Sequence, residues 1–340
     1  MRRGGFLLVM LGAFFLTLAP LMRFYVADGV VRAPLDFYQQ VSLRDEHGTY
    51  LDLFSGKVHD DTEVGAYLTV RGDVRSGTDD VAVWNTFLAF SAGDRTVRMV
   101  DWWLAMDRTS GQLINGFKGT QVDKDPAVAQ SGYGLMWPVG NVQKRTYEFY
   151  DVISKRTWPM RYTGSEMVRG IHAYKYVQVV EPTKISQVTG KQWATTVGLP
   201  KKHPNVSVDG WHQATNTYWV DPRTGMPIKS QLSVNETLRT RDGKNEGTFL
   251  TADLVTEEKD VKALADRSDH YAQRIDLVRT VIPGIALVAG FVLLALGGVI
   301  TLYGGGQGPK KARHANPTRP AGEVEQVPPA RADLAADRRK

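Results

Sequence analysis

The segment Tyr218-Trp219-Val220-Asp221-Pro222-Arg223-Thr224-Gly225-Met226-Pro227-Ile228 reads as two strands folded about a tight turn. Asp221 at the first corner bonds its own backbone, Pro222 presets the next dihedral, and Gly225 supplies the left-handed residue that closes a hairpin with a bulge. The same order returns in Leu104 to Ile114, with Asp107, Ser110 and Gly111, and more loosely in Tyr50 to Val58, with Asp52, Ser55 and Gly56. Asp151-Val152-Ile153-Ser154-Lys155 keeps the pattern without the glycine. Repeated use of one turn fits either shared turn chemistry or internal duplication of a meander unit.

Around these turns, Glu63 to Arg71, Val81 to Ser91, Thr96 to Met106, Ile171 to Val180, Thr215 to Val220 and Ile228 to Leu238 are rich in Val, Tyr, Trp, Phe and Thr. Several alternate apolar with polar residues, the period of a strand with one covered face. The centre of the chain therefore reads as mostly β. One helical pattern follows it: Val261, Leu264, Ser268, Tyr271, Ile275 and Val278 recur at three- and four-residue steps and give a partly apolar face, which either docks on the sheet or runs as a stalk.

Two uninterrupted apolar runs, Phe6 to Met22 and Val281 to Tyr303, bracket this region. A bilayer core of about 30 Å takes about 20 helical residues, which the second run meets. The first reaches that length if Phe24, Tyr25 and Val26 are counted and Arg23 snorkels outward. A cleaved secretory signal is the rival reading of the first run, since Arg2 and Arg3 form a basic n-region, but Ala19 is followed by Pro20 and no clean small-x-small site is nearby. The expectation is an uncleaved anchor.

Beyond Tyr303 lie eight Lys or Arg and four acids, and Arg2 and Arg3 stand at the front. By the positive-inside rule both termini are cytoplasmic and the main domain extracytoplasmic, held on the plasma membrane. These ends carry the whole excess of 42 Lys and Arg over 36 Asp and Glu. The remainder is formally neutral, which gives no support to a nucleic-acid partner. The tail after Tyr303, rich in Gly, Pro, Ala and charge, is expected to be disordered, with Lys310, Lys311 and Arg313 beside anionic lipid. Absence of cysteine excludes a disulfide framework and thiolate zinc sites.

No Gly-x-Ser-x-Gly elbow and no His-Glu-x-x-His helix occurs. His203, Asp209 and His212 match no standard metal-ligand spacing, and Asp79, Asp80, Asp123 and Asp125 lack the rest of a calcium loop. The expectation is a protein that is not an enzyme and has no cofactor and no metal. Aromatics are the remaining signal. All eight tryptophans fall between the anchors; they fill a β core and its rim, or line a groove for acyl chains or sugars. The candidate groove residues are Trp84, Trp102, Trp103, Trp137, Trp158, Tyr174, Tyr176 and Trp219. Trp102 and Trp103 are adjacent, so a strand points them to opposite faces. Trp193 and Trp211 flank a polar loop with Lys201 and Lys202 that reads as a lid or a surface excursion.

The Tyr218 to Ile228 hairpin, preceded by Tyr162-Thr163-Gly164 and Gly170-Ile171-His172-Ala173-Tyr174, resembles the central hairpins of lipoprotein-carrier folds, which implies a curved antiparallel sheet forming an open half-barrel over an apolar cavity. A second resemblance covers nearly the whole chain. Leu18-Ala19-Pro20-Leu21-Met22-Arg23-Phe24-Tyr25-Val26, Val70-Arg71-Gly72-Asp73-Val74 with Val81-Ala82-Val83-Trp84, Trp137-Pro138-Val139-Gly140 through Tyr147-Glu148-Phe149-Tyr150-Asp151, and Pro159-Met160-Arg161-Tyr162 look like an actinobacterial PorA-like, porin-labelled family with two anchors. The label implies a pore, yet a membrane-spanning β-barrel needs uninterrupted apolar outward faces, and Thr96 to Met106 carries Arg98 and Asp101. A channel built from the helices would require oligomerisation, for which Ala286 and Gly290 offer a small-residue contact.

The expected fold class is mainly β (α+β), a curved antiparallel sheet ectodomain between two transmembrane helices. The expected segments are a cytoplasmic N-terminus 1–5, a first transmembrane helix 6–26, a β-rich extracytoplasmic domain 27–256, a helical stalk 257–280, a second transmembrane helix 281–303 and a disordered basic cytoplasmic tail 304–340. The expected function is binding or presenting an envelope lipid or glycolipid at the membrane of an actinobacterium. The alternatives are a non-catalytic scaffold recruiting cell-envelope proteins and, ranked below it, an oligomeric channel.

Overall fold

The computed structural model describes residues 2–202 and 205–303, and the tail 304–340 lies outside them. The first anchor is α1 (Arg2–Leu21), which continues through a π-helical turn (Met22–Val26) into α2 (Ala27–Val30). Eleven strands follow: β1 (Tyr38–Asp52), β2 (Lys57–Gly72), β3 (Val81–Ala92), β4 (Arg95–Asp107), β5 (Gln121–Val122), β6 (Tyr147–Asp151), β7 (Arg156–Val168), β8 (Ile171–Gly190), β9 (Val206–Val220), β10 (Pro227–Thr240) and β11 (Glu246–Thr256). A short α3 (Trp193–Thr196) precedes β9, and the chain ends in α4 (Glu258–Asp276), a second π-helical turn (Leu277–Val281) and α5 (Ile282–Tyr303).

The strands form one antiparallel sheet in the order β5-β4-β3-β2-β1-β11-β10-β9-β8-β7-β6. Two meanders therefore abut through β1 and β11, and the sheet curls into a half-barrel. Segment 108–146 spans the gap between its edges. Leu113 N donates to Gly132 O at 2.7 Å, Tyr133 N to Glu148 O at 2.7 Å and Tyr150 N to Tyr133 O at 2.7 Å, so edge groups that would otherwise template aggregation are paired. The six strands expected from composition are all present, most of them longer than expected. β1 and β7 gave weaker signals because they carry many outward polar residues, Arg44 to His47 in β1 and Arg161 to Glu166 in β7.

The repeated turn forms as its chemistry requires. Asp52 accepts from Phe54 N at 2.9 Å, Asp107 from Ser110 N at 2.6 Å, Asp151 from Ser154 N at 2.7 Å and Asp221 from Arg223 N at 2.9 Å. Lys155 adopts φ of +55° where the other copies place glycine. The turn follows the first and fourth strands of each half: β1 and β4 in one, β6 and β9 in the other. Equivalent placement is what a duplicated four-strand meander leaves behind, and shared turn chemistry alone does not require it.

The anchors pack antiparallel along small residues at seven-residue spacing. Gly5, Gly12 and Ala19 are buried on α1, and Pro283, Gly290 and Gly297 on α5. A Cβ at Gly12 would stand 2.8 Å from Gly290 O, and one at Gly297 would stand 2.7 Å from Gly5 O, so only glycine permits this approach. Ala286 and Gly290 are thus both buried within the chain, Gly290 directly against the first anchor, which removes the oligomer contact expected of them. Phe6, Met10 and Phe14 on α1 and Ile285, Phe291 and Leu302 on α5 project outward instead.

The expected stalk docks. Val261, Leu264, Ala265, Ser268 and Ala272 are buried against the half-barrel. Asp221, fully buried at the β9–β10 turn, accepts from Arg223 Nη2 at 2.7 Å and from Ser268 Oγ at 2.8 Å, and Arg223 reaches Asp269 at 2.6 Å. The Asp221 carboxylate, followed by Asp269, holds the Arg223 guanidinium above its ordinary pKa. At the sheet's other half Ser42 N donates to Asp260 at 2.8 Å. α4 therefore lies across one end of the half-barrel and runs straight into the second anchor.

Candidate functional site

Inward side chains of the two meanders do not meet at the axis. Short branched residues such as Val41, Val100 and Val234 face a space that eleven curled strands leave too wide to fill, and a cavity of about 580 Å³ remains. That volume lies within the range of about 300–1,000 Å³ for small-molecule sites. Trp84, Trp102 and Trp137 supply aromatic wall. Trp84 stacks on Phe37 at 4.4 Å and its N–H donates to Pro34 O at 3.2 Å. Trp102 Nε1 donates to Gln130 Oε1 at 2.8 Å. Both N–H groups are satisfied by protein acceptors, so the rings serve the cavity as apolar surface.

One end of this cavity is open and one is blind. Its exposed wall residues are Val30, Arg274 and Leu277, the first and last 60% and 47% exposed, and all three lie where the anchors reach the domain. At the opposite end Leu51, Ala194, Val197, Val206, Val208 and Leu238 pack into a separate apolar cluster around α3. α3 and the start of β9 thus form an apolar plug at the end remote from the anchors.

Between cavity and plug lies a polar layer. Arg98 Nη2 donates to Glu236 Oε2 at 2.6 Å, and Glu236 Oε1 lies 3.1 Å from His212 Nδ1. His212 Nε2 faces Asp151 Oδ2 at 3.7 Å. Asn216 Nδ2 donates to Gln178 Oε1 at 3.0 Å, and Gln178 Nε2 to Phe149 O at 2.8 Å. Asp151, Gln178, His212 and Asn216 all line the cavity. Burial, then the Asp151 carboxylate, pushes the Tyr150 and Tyr218 phenols well above their ordinary pKa. Among the described residues no group of His, Asp or Glu is arranged to hold a metal ion.

The family model described as Porin PorA matches residues 4–299. The chain belongs to the PorA family. A curated relative, the Porin PorA of Corynebacterium amycolatum, is 30% identical over 79 residues, which cover 23% of this chain and 20% of that protein's length. This PorA-family chain therefore aligns with about one fifth of the curated relative. With two helices long and apolar enough to span a bilayer, Arg3–Val26 and Glu258–Tyr303, it is a membrane protein.

Of the aromatic residues singled out in this PorA-family sequence, the structure brings Trp84, Trp102 and Trp137 together at the cavity. The other five lie elsewhere. Trp103 alternates with Trp102 and faces away, as strand geometry demands. Trp158 donates to Ser154 Oγ at 3.1 Å, beside the Asp151 turn. Tyr174 and Tyr176 belong to a second aromatic cluster behind Trp137, where the Tyr176 hydroxyl donates to Gln143 O at 2.6 Å. Trp219 donates to Glu166 at 2.7 Å under the ammonium groups of Lys175 and Lys229. The polar layer went unread in the sequence, although His212, Asn216 and Tyr218 sit at alternate positions of one apolar-polar strand and so share a face. Asp209, on the opposite face of β9 from His212, pairs with Lys184 at 2.8 Å, and His203 lies outside the described residues.

Proposed function

We propose that this PorA-family protein withdraws a lipid or glycolipid from the outer leaflet of the envelope membrane and holds or presents it inside the half-barrel, without catalysing a reaction. Both termini are cytoplasmic in this reading and the half-barrel stands outside, as the basic residues flanking the anchors favour. The observation that carries it is the position of the mouth: the exposed wall residues Val30, Arg274 and Leu277 stand where the two long apolar helices join the domain. A scaffold for envelope proteins needs no internal space, whereas this domain leaves about 580 Å³ unfilled.

The test is native mass spectrometry of the full chain released from detergent, followed by extraction and identification of what leaves with it. One amphiphile per chain supports the carrier reading. A chain that is empty as purified and takes up no lipid from nanodiscs overturns it. Conductance steps from purified protein in a planar bilayer would favour the channel that the family description names.

A further inference from the structure

We propose, resting on the carrier reading, that the blind end of the cavity is a hydrogen-bonding subsite for a hydroxyl group carried on the inserted part of the bound amphiphile. The polar layer there is built and incomplete. Glu236, 1% exposed, takes both Arg98 bonds on Oε2, at 3.0 and 2.6 Å, and faces His212 Nδ1 with Oε1. A carboxylate only accepts, so Nδ1 carries the hydrogen and, in the neutral ring, Nε2 is an acceptor.

That acceptor has no hydrogen-bond partner although His212 is 1% exposed. It faces a second acceptor, Asp151 Oδ2, at 3.7 Å, beyond hydrogen-bond range. The hydroxyl of Tyr150, the residue before Asp151, is likewise buried without a partner, and Tyr150, Asp151 and His212 all line the cavity. Two acceptors and one hydroxyl ask for a group that both donates and accepts. A hydroxyl does so without bringing charge. A carboxylate or phosphate would meet the Asp151 carboxylate in a poorly solvated space, and a plain alkyl chain would leave His212 Nε2 and the Tyr150 hydroxyl unsatisfied. The ligand class is therefore a neutral hydroxylated amphiphile, its alcohol or sugar hydroxyl passing the apolar stretch walled by Trp84, Trp102 and Trp137 to reach the layer.

The experiment titrates delipidated full-length protein in detergent with three probes of matched chain length: hexadecan-1-ol, hexadecyl methyl ether and palmitate. The expected result is that the alcohol binds about tenfold tighter than the ether, the worth of one hydrogen bond to a charged group, and palmitate binds no better than the ether. In Asp151→Asn and Tyr150→Phe the alcohol-to-ether ratio falls severalfold while ether affinity is kept, which also reports an intact cavity. A wild-type ratio near one overturns the subsite and leaves the carrier reading standing, and it does so whether or not either variant folds. Preference for palmitate, or a ratio unchanged in both folded variants, also overturns the subsite. Failure of all three probes to bind overturns the carrier reading itself.

Discussion

Trp137 lies across Gly225: its backbone N–H donates to Gly225 O at 2.9 Å, and its own carbonyl stands 2.5 Å from where a Gly225 Cβ would be. This contact fastens the segment that closes the half-barrel to the β9–β10 turn, and that turn in turn to α4. Gly225 also has φ of +79°. Gly225→Ala is therefore expected to cost about 2–4 kcal/mol, from the left-handed backbone and the clash together. Gly243→Ala, at φ of +68° with open space around it, is expected to cost only about 1 kcal/mol. Thermal melts of the two full-length variants in one detergent check the difference.

The anchors make a related prediction. Gly290→Leu or Gly12→Leu forces the helices apart, at about 1–3 kcal/mol for overpacking, whereas Gly284→Leu, with nothing near its Cβ position, is expected to be neutral. Retention of the monomeric peak after graded heating in detergent reads the ranking. Equal loss in all three variants would mean that the seam does not form.

Cavity volume and ligand load should move together. Ala214 lines the cavity and is buried, so Ala214→Phe fills space a ligand would use. Co-purified lipid is expected to fall severalfold with the circular dichroism spectrum unchanged. Trp158→Phe, outside the wall, is expected to leave the load as it was. Quantitative lipid extraction separates the two.

Acid should loosen the turns. The Phe54 N–H and then the Ser55 hydroxyl hold the Asp52 carboxyl below its ordinary value of 3.8. At Asp107 burial acts upward, but the Ser110 N–H and hydroxyl, joined by the Thr109 N–H, outweigh it and leave that carboxyl low as well. A depressed folded-state pKa contributes stability that is complete above the unfolded value and is lost as pH falls through the folded one. Melting temperature is therefore expected to decline below about pH 4, and Asp107→Asn to lower it at neutral pH while flattening the acid decline. A pH series on both proteins tests the sign.

Orientation can be read directly because the chain has no cysteine. A single cysteine at Asp242, in the exposed β10–β11 turn, is expected to react with an impermeant maleimide on intact cells. One at Arg3 should react only after lysis. The reverse pattern would place the half-barrel in the cytoplasm.

The anchors and the turns were legible because they are local. A run of 23 apolar residues from Val281 to Tyr303 needs no partner to announce a membrane helix, and Asp221 bonds its own turn whatever the rest of the chain does. The strands were legible by alternation, yet alternation is symmetric: it says that Trp102 and Trp103 face opposite ways and not which of them meets the cavity. Register decides that, and register is set by pairing between distant strands. The sequence by itself thus determined two anchors, a β domain between them and the position of its hairpins. Tertiary structure alone decided that Glu236 would sit opposite His212 across β9 and β10, with Arg98 and Asp151 brought in from more than 60 residues away. It also decided that α4 would cover one end of the half-barrel and leave the mouth beside the two apolar helices, since the docking face of a helix becomes a wall only when a curled sheet leaves room behind it.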